Sequence, residues 1–142
     1  MIQRKRRTRI LIDGSPALRR QLAAEITKAY RLLEVEEPNH GLTMIRMRET
    51  AHSSLFFLGE ILVTEAKVQI EGVTGLGILA GDDPAAARDL AIIDAAYNAH
   101  LPQTSAWDEL LAAEERRLTR KRDSYEARLS ETRVRFETMD VD

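Results

Sequence analysis

Residues 59–72 read GEILVTEAKVQIEG, and this stretch decides the fold more than any other part of the chain. It lies between two glycines and is rich in β-branched residues, which is typical of a β-strand whose side chains alternate between two faces. One face is largely apolar and holds Glu60, Leu62, Thr64, Ala66, Val68 and Ile70. The other face starts with Ile61 and Val63 and becomes charged at Glu65 and Lys67. Because a solvated sheet face is polar along its length, Ile61 and Val63 predict a cover, either a partner or a helix that lies across half of the sheet.

The composition favours one globular domain of ordinary size. The 142 residues are enough to bury a core without disulfides or metal, and the absence of cysteine excludes thiolate catalysis and zinc–thiolate or iron–sulfur sites. The net charge of −2 gives no global attraction to nucleic acid or membrane. No apolar run approaches the roughly 20 residues of a membrane span, and the basic start lacks the features of a signal peptide. A soluble cytoplasmic protein is therefore expected.

The first 80 residues predict two helices followed by an antiparallel meander. Residues 1–13 suit a short basic helix that ends at Gly14, and Ser15-Pro16 suits the start of a second helix that runs to about Tyr30. A loop is expected at 38–41 and a hairpin turn at 71–75. Four strands are expected in succession, at 32–36, 42–48, 55–70 (with a bulge at Gly59) and 76–80.

The last 60 residues predict a helical pair and a tail. Asp82-Asp83-Pro84 suits the start of a helix that packs on the sheet through an apolar stripe, Ala86, Leu90, Ile93, Tyr97 and Leu101. A second helix, from about Ser105 to about Ser130, is so highly charged that it must project into solvent or dock on another chain. The predicted fold class is α+β, with N-terminal helices, a meander of about four strands, a C-terminal helical pair and an extended tail. Residues 1–142 are predicted to form a single domain in which 131–142 binds a partner.

No independent active site is visible in the sequence. The three histidines, His40, His52 and His100, lack a metal-ligand spacing. The glycines around 72–77 lie at a hairpin, whereas a phosphate loop opens directly into a helix. Adjacent carboxylates do not converge on one point, and no nucleophile or phosphate-binding motif is present.

Basic residues leave several alternatives open. Arg46 and Arg48 share one strand face, where they could hold a phosphate or carboxylate or could pair with Glu60 or Glu65 across the sheet. A small-molecule enzyme built around Arg46, Arg48 and His52 would need these side chains to converge in one pocket. The basic cluster at 4–9 suits a solvated end, phosphate binding or subunit docking, whereas the cluster at 116–122 lies among acidic residues and suits a solvated or partner-facing helix face. Together the two clusters define the alternative of a nucleic-acid-binding module.

Four segments together resemble a known family. They are RETAHSSLFFLGEILVTEAKVQIEG (48–72), GLGILAGDD (75–83), LAIIDAAYNA (90–99) and TRVRFETMD (132–140). In order and spacing they are similar to the G subunit of the bacterial carbon–phosphorus lyase core complex. Glu137 departs from the pattern, because many relatives have an aromatic residue there.

The resemblance implies a non-catalytic or accessory subunit that works with the H, I, J and L subunits. The complex transfers the ribose triphosphate of ATP to an alkylphosphonate with release of adenine, ahead of carbon–phosphorus bond cleavage. This chain would be an inactive part of that transferase when alone, with no catalytic residue, metal or cofactor of its own, no membrane and no nucleic acid. Predicted partner contacts lie on the long strand and the tail, at Ile61, Val63, Glu65, Lys67, Arg133, Phe136, Thr138 and Met139.

Overall fold

The computed structural model describes residues 1–132, which form four helices and one three-stranded sheet. The helices are α1 (Arg4–Asp13), α2 (Pro16–Ala29), α3 (Pro84–Asn98) and α4 (Gln103–Glu131). The strands are β1 (Leu32–Arg48), β2 (Leu55–Ile70) and β3 (Val73–Ala80), in the antiparallel order β1-β2-β3. The predicted α+β class is confirmed. Within residues 1–132, no helix is both long enough and apolar enough to cross a membrane.

Helix α3 is the centre of the core. The Asp83 carboxylate accepts the Ala86 N–H at 2.9 Å, and Pro84 takes the first helical position, as the sequence predicted. The whole predicted stripe from Ala86 to Leu101 is buried, and α3 is also buried on its other sides. A helix that is apolar nearly all round has to be enclosed by other elements. The sheet covers one side of α3, and α2 packs against another.

The sheet has three strands rather than the four that were predicted. Residues 32–48 form one strand, β1, because the residues expected to form a loop at 38–41 stay in the ladder. Register shifts between Glu34 and Glu36 and between Glu36 and Asn39 each place an extra residue on β1. Pro38 lies in the second of these bulges on a strand at the edge of the sheet, where its missing N–H leaves no ladder partner unpaired.

The β2–β3 turn is shorter than predicted. Glu71 and Gly72 both have positive φ, at 50° and 82°, which suits a two-residue hairpin turn of type I′, and Ile70 pairs directly with Val73. Gly75 and Gly77 therefore lie inside β3 and not in the turn. A Cβ on Gly75 would come within 2.1 Å of the Ala95 nitrogen. These glycines let α3 lie directly on the backbone of β3.

Strand β2 divides into two halves at Val63. Strand β3 pairs only with the second half, from Val63 to Ile70, and alternate residues of that half are buried against α3. Thr64 marks the boundary, since its hydroxyl donates to the Gly81 carbonyl at 2.6 Å and accepts the Asp83 N–H at 3.2 Å. In the first half one extra residue, Leu58, lies between the paired positions Phe57 and Gly59, which places the expected bulge next to Gly59.

Helix α4 starts in the core and then leaves it. Trp107 and Leu111 are buried, and the Trp107 indole N–H donates to Glu25 at 2.9 Å. Glu114 is the last residue of α4 that is buried. The remainder, residues 115–131, extends for about 25 Å at 1.5 Å per residue beyond the core, and the choice between solvent and a partner chain stays a prediction.

Candidate partner-binding site

The first half of β2 and the end of β1 form a two-stranded projection, residues 42–62, which we call the hairpin arm. Its strands pair with each other from Leu42–Leu62 to Arg48–Leu55, and β3 ends before this region, opposite Val63. The connecting turn is closed by the Glu49 N–H, which donates to the Ser54 carbonyl at 2.9 Å. The arm thus lies beyond both the third strand and α3.

The hairpin arm is unusually apolar for an exposed element. It carries eight of the sixteen large apolar side chains that are exposed within residues 1–132, namely Leu42, Met44, Met47, Leu55, Phe56, Phe57, Leu58 and Leu62. Met47 pairs with Phe56 and Arg46 pairs with Phe57, so the two aromatic rings point to opposite faces of the arm. Phe57 is 60% exposed. Since isolated hairpins are marginal in water and large exposed apolar patches mark interaction sites, the arm is a candidate docking surface.

The predicted contacts on β2 lie on the sheet face opposite α3. Ile61, Val63, Glu65 and Lys67 are all half-buried and alternate with the buried residues that begin at Thr64. Of the two predicted covers for Ile61 and Val63, the chain's own polar helix does not lie there, because α4 packs on α1 and places Trp107 against Tyr97 of α3. A partner remains the candidate cover for these two side chains.

The charges on that outer face are already paired in part. Lys67 makes a salt bridge with Glu36, which lies directly across on β1. The hydrogen bond from Lys67 lowers the pKa of Glu36, and the same bond raises the pKa of Lys67. Lys67 is therefore held by its own sheet, whereas Glu65, paired in register with Asn39 and Ile78, makes no salt bridge within residues 1–132.

Arg46 and Arg48 stay predicted anion contacts, and the structure shows where each of them lies. Arg48 donates to the Ser53 carbonyl at 2.8 Å, and Arg46 is exposed opposite Phe57. The alternative of a cross-strand ion pair with Glu60 or Glu65 is absent among the described residues. Neither of two clefts on the surface of residues 1–132 is lined by Arg46, Arg48 or His52.

Four predicted contacts, Arg133, Phe136, Thr138 and Met139, lie outside the described residues. They stay predictions.

The basic N-terminus is partly internal, which the sequence did not reveal. Arg4 donates to both carboxylate oxygens of Asp94, at 2.9 and 2.6 Å, and Arg7 donates to the same carboxylate at 2.5 Å. The Leu76 N–H also donates to Asp94, at 3.0 Å, and the Arg7 guanidinium stacks 4.0 Å from the centroid of the Tyr97 ring. Burial lowers the pKa of Arg7, and the facing Asp94 opposes that shift. Two arginines of the first cluster thus hold α1 to α3 and β3, which counts against the nucleic-acid alternative.

One signal could have revealed this cluster. Asp94 interrupts the buried run Ala91–Ala96 of α3, and a carboxylate in such a place needs a cationic partner. The sequence does not show which of the nearby arginines supplies it, because Arg4 and Arg7 are about 90 residues away.

Metal chemistry has no visible site in the described part of the chain. Residues 1–132 contain no group of three or more histidine, aspartate or glutamate side chains that could hold a metal ion. His40 contacts Asp82 at 2.7 Å on the surface, where both side chains are about half exposed or more.

Known proteins resemble this chain along most of its length. A family model described as phosphonate metabolism protein PhnG matches residues 2–140. A relative from Rhizobium meliloti (strain 1021) is named alpha-D-ribose 1-methylphosphonate 5-triphosphate synthase subunit PhnG. It is 33% identical over 141 residues, which cover 89% of this chain and 86% of the relative. The family match includes the hairpin arm and all seven helices and strands.

Proposed function

This chain belongs to the PhnG family of phosphonate metabolism proteins, and from that premise we propose that it is an accessory subunit that docks through its hairpin arm. The resemblance carried by the four sequence segments is thereby confirmed at the level of the family. The relative is named as a subunit of a synthase, which agrees with a chain that works inside an assembly.

The proposed complex transfers the ribose triphosphate of ATP to an alkylphosphonate and releases adenine, ahead of carbon–phosphorus bond cleavage. This chain would supply no catalytic residue and no cofactor, while the complex consumes ATP as a substrate in the cytoplasm. Its proposed partners are the H, I, J and L subunits. The relative is named for a product that is a ribose with a methylphosphonate and a triphosphate, and this name supports the proposed product of the complex.

The observation that carries the docking role is the apolar surface of the hairpin arm. Eight large apolar side chains are exposed there, on two strands that lack a third strand and a covering helix. Burying such side chains contributes about 25 cal/mol per Å² of apolar area, so a partner that covers both faces would be held strongly. Phe56 and Phe57 are of the residue type that anchors interfaces.

The arm is tested by co-purification with the four proposed partners. We expect the double variant Phe57→Ser, Leu58→Ser to fold normally, because both side chains are exposed, and to be lost from a tagged partner complex. The matched control is Ile12→Ser, Leu110→Ser, which removes two exposed apolar side chains outside the arm and should be retained. Retention of the arm variant at the wild-type level would contradict docking through the arm.

The accessory role is tested by turnover. The isolated chain should show no release of adenine from ATP and methylphosphonate, whereas the reconstituted complex should release it. Full turnover by the isolated chain would refute the accessory role. It would not affect the conclusion from the co-purification test of the arm.

The tail is proposed as a second anchor. A chain that ends at Glu131 keeps all seven described elements and should fold, but it should bind the partner subunits more weakly than the full chain does. Equal recovery of both chains would show that the anchors are elsewhere.

A further inference from the structure

The two basic clusters of the sequence meet at one cleft. The cleft lies between α1 and the projecting part of α4, and its volume is about 920 Å³. Six of the side chains that line it are cationic and two are carboxylates. The cations are Lys5, Arg6, Arg9, Lys121, Arg122 and Arg128, and the carboxylates are Asp13 and Glu115. The cleft is thus strongly basic on a chain whose net charge is −2.

The carboxylates of the cleft are already engaged. Arg6 makes a two-point contact with Glu115, with its Nε 2.8 Å from one carboxylate oxygen, and Arg9 lies 3.4 Å from Asp13. The hydrogen bond from Arg6 lowers the pKa of Glu115, so this carboxylate is ionised at neutral pH.

Cations remain in the cleft after these pairs are made. Lys5, Lys121 and Arg128 have no carboxylate within 4.0 Å among residues 1–132. Arg122 reaches Asp123 and Glu126 only at 4.0 Å. Side chains of like charge that face one cleft repel one another, and an anion of several charges would remove that repulsion.

The rest of the lining limits the kind of anion. Ile10, Leu118 and Tyr125 give the cleft an apolar part beside the cations, and Tyr125 is 63% exposed, so its ring can stack on a flat ligand. The volume lies in the range of small-molecule sites. A long nucleic acid fits less well, because beyond the cleft it would meet a chain whose net charge is negative.

We propose that this cleft binds an oligophosphate group of triphosphate length, such as that of ATP or of a ribose triphosphate. Arginine forks and lysine ammonium groups bind phosphate oxygens by charge-assisted hydrogen bonds. The choice of triphosphate length rests on the proposed function, since the product in the name of the relative carries a triphosphate. The cleft would then hold the charged end of a substrate or product close to the assembly, without a part in bond cleavage.

Calorimetric titration of the isolated full chain tests the cleft directly. The probes are ATP, inorganic tripolyphosphate, AMP and a short single-stranded DNA. We expect ATP and tripolyphosphate to bind and AMP to bind about tenfold more weakly, because AMP loses phosphate contacts worth about 1.4 kcal/mol. ATP binding that exceeds tripolyphosphate binding, and that falls in Tyr125→Ala, would identify a nucleotide as the source, whereas equal binding would identify the phosphate chain alone.

A matched pair of variants separates the cleft from general charge. Lys121→Glu, Arg128→Glu should weaken ATP binding at least about tenfold, whereas Arg20→Glu, Lys28→Glu makes the same charge change on exposed residues of α2 and should have little effect. Both variants should keep the wild-type unfolding temperature, since all four side chains are exposed.

The inference is overturned by any of three results: no binding of ATP or tripolyphosphate at low salt, equal weakening in both variants, or tighter binding of the DNA than of ATP. These titrations use the chain without partners. Failure of the wild-type chain to co-purify with the proposed partners therefore counts against the proposed function alone, and absence of ATP binding counts against the cleft alone.

Discussion

The two halves of β2 have opposite surroundings although both are rich in apolar residues. The first half, LFFLGEIL, is the more apolar and yet is mostly exposed, whereas alternate residues of the second half, VTEAKVQI, are completely buried. The difference arises outside β2. Strand β3 has only eight residues, and these pair with the second half, on which α3 also lies.

This comparison shows that the apolar character of a strand does not by itself bury it. Burial requires a neighbouring strand and a covering layer, and here both end near Thr64. An apolar half-strand without them is a candidate docking surface, since its side chains leave water only when a partner covers them. Stability and assembly should therefore depend on different halves of the same strand.

The largest effect on stability is expected within the buried half. Ile70→Ala should lower the free energy of unfolding by about 3 kcal/mol, because it removes a completely buried side chain and leaves a cavity. Leu58→Ala, in the exposed half, should change it by less than about 0.5 kcal/mol. Denaturant unfolding followed by circular dichroism measures both. A Leu58 variant as unstable as the Ile70 variant would show that the arm is part of the folded core.

A second pair compares glycines. A Cβ at Gly77 would lie 2.0 Å from the Ala87 carbonyl oxygen, a backbone atom, so Gly77→Ala should force α3 off β3 and cost about 2 kcal/mol. At Gly59, in the arm, a Cβ would meet nothing within 4 Å, so Gly59→Ala should be close to neutral. Thermal unfolding of the two variants checks this, and similar midpoints would mean that α3 does not rest on the β3 backbone.

The smallest expected effect is a pH-dependent loss of stability, and it should occur at Glu114 in the helical part of the molecule and not at a carboxylate of the arm. The Glu114 carboxylate accepts the Ser15 N–H at 2.6 Å and two bonds from Arg117, and the bond from Arg117 lowers the pKa of Glu114 below its ordinary value of 4.5. A carboxyl with a lowered folded-state pKa stabilises the fold above pH 4.5, and this stabilisation is lost as the pH falls through the folded pKa.

Glu114→Gln should therefore cost about 1 kcal/mol at neutral pH and progressively less as the pH falls below about 4. Glu60→Gln, at an exposed carboxylate on the arm, is the control and should cost little at either pH. Unfolding midpoints measured between pH 3 and 7 compare the two variants. A constant difference between Glu114→Gln and the wild type over that range would contradict the proposed origin of the stabilisation.

Residues at the ends of the helices predicted most of the elements outside the hairpin arm. Proline at the first helical position after Ser15 and after Asp83, and glycine after α1, placed three helix ends correctly. Proline and glycine also led to the wrong prediction of a loop at 38–41, which lies inside β1. These residues are tolerated in an edge strand and its bulges as well as in turns. The identity of the neighbouring strand decides between the two, and that is not a local property.

The candidate sites were less predictable than the helices. Alternation identified Ile61 and Val63 as candidate contacts, which stay predictions. It did not reveal the larger apolar surface of the arm, since Phe56 and Phe57 would suit a buried strand equally well. Gly75 and Gly77 suggested a turn, although the alanines at 87, 91 and 95 of α3 were a signal for close packing. Among the arginines, nothing local distinguished Arg4 and Arg7, which bind Asp94, from those that line the cleft.

The sequence by itself determined the α+β class, the capped start of α3, the buried face of β2 and the family, because each depends on residues close together in the chain or on their order. The tertiary structure alone decided which half of β2 is exposed and which arginines are internal. It also decided that the two basic clusters share one cleft. These properties depend on where β3 ends and on how α1 meets α3 and α4, and such contacts join residues that are far apart in the sequence.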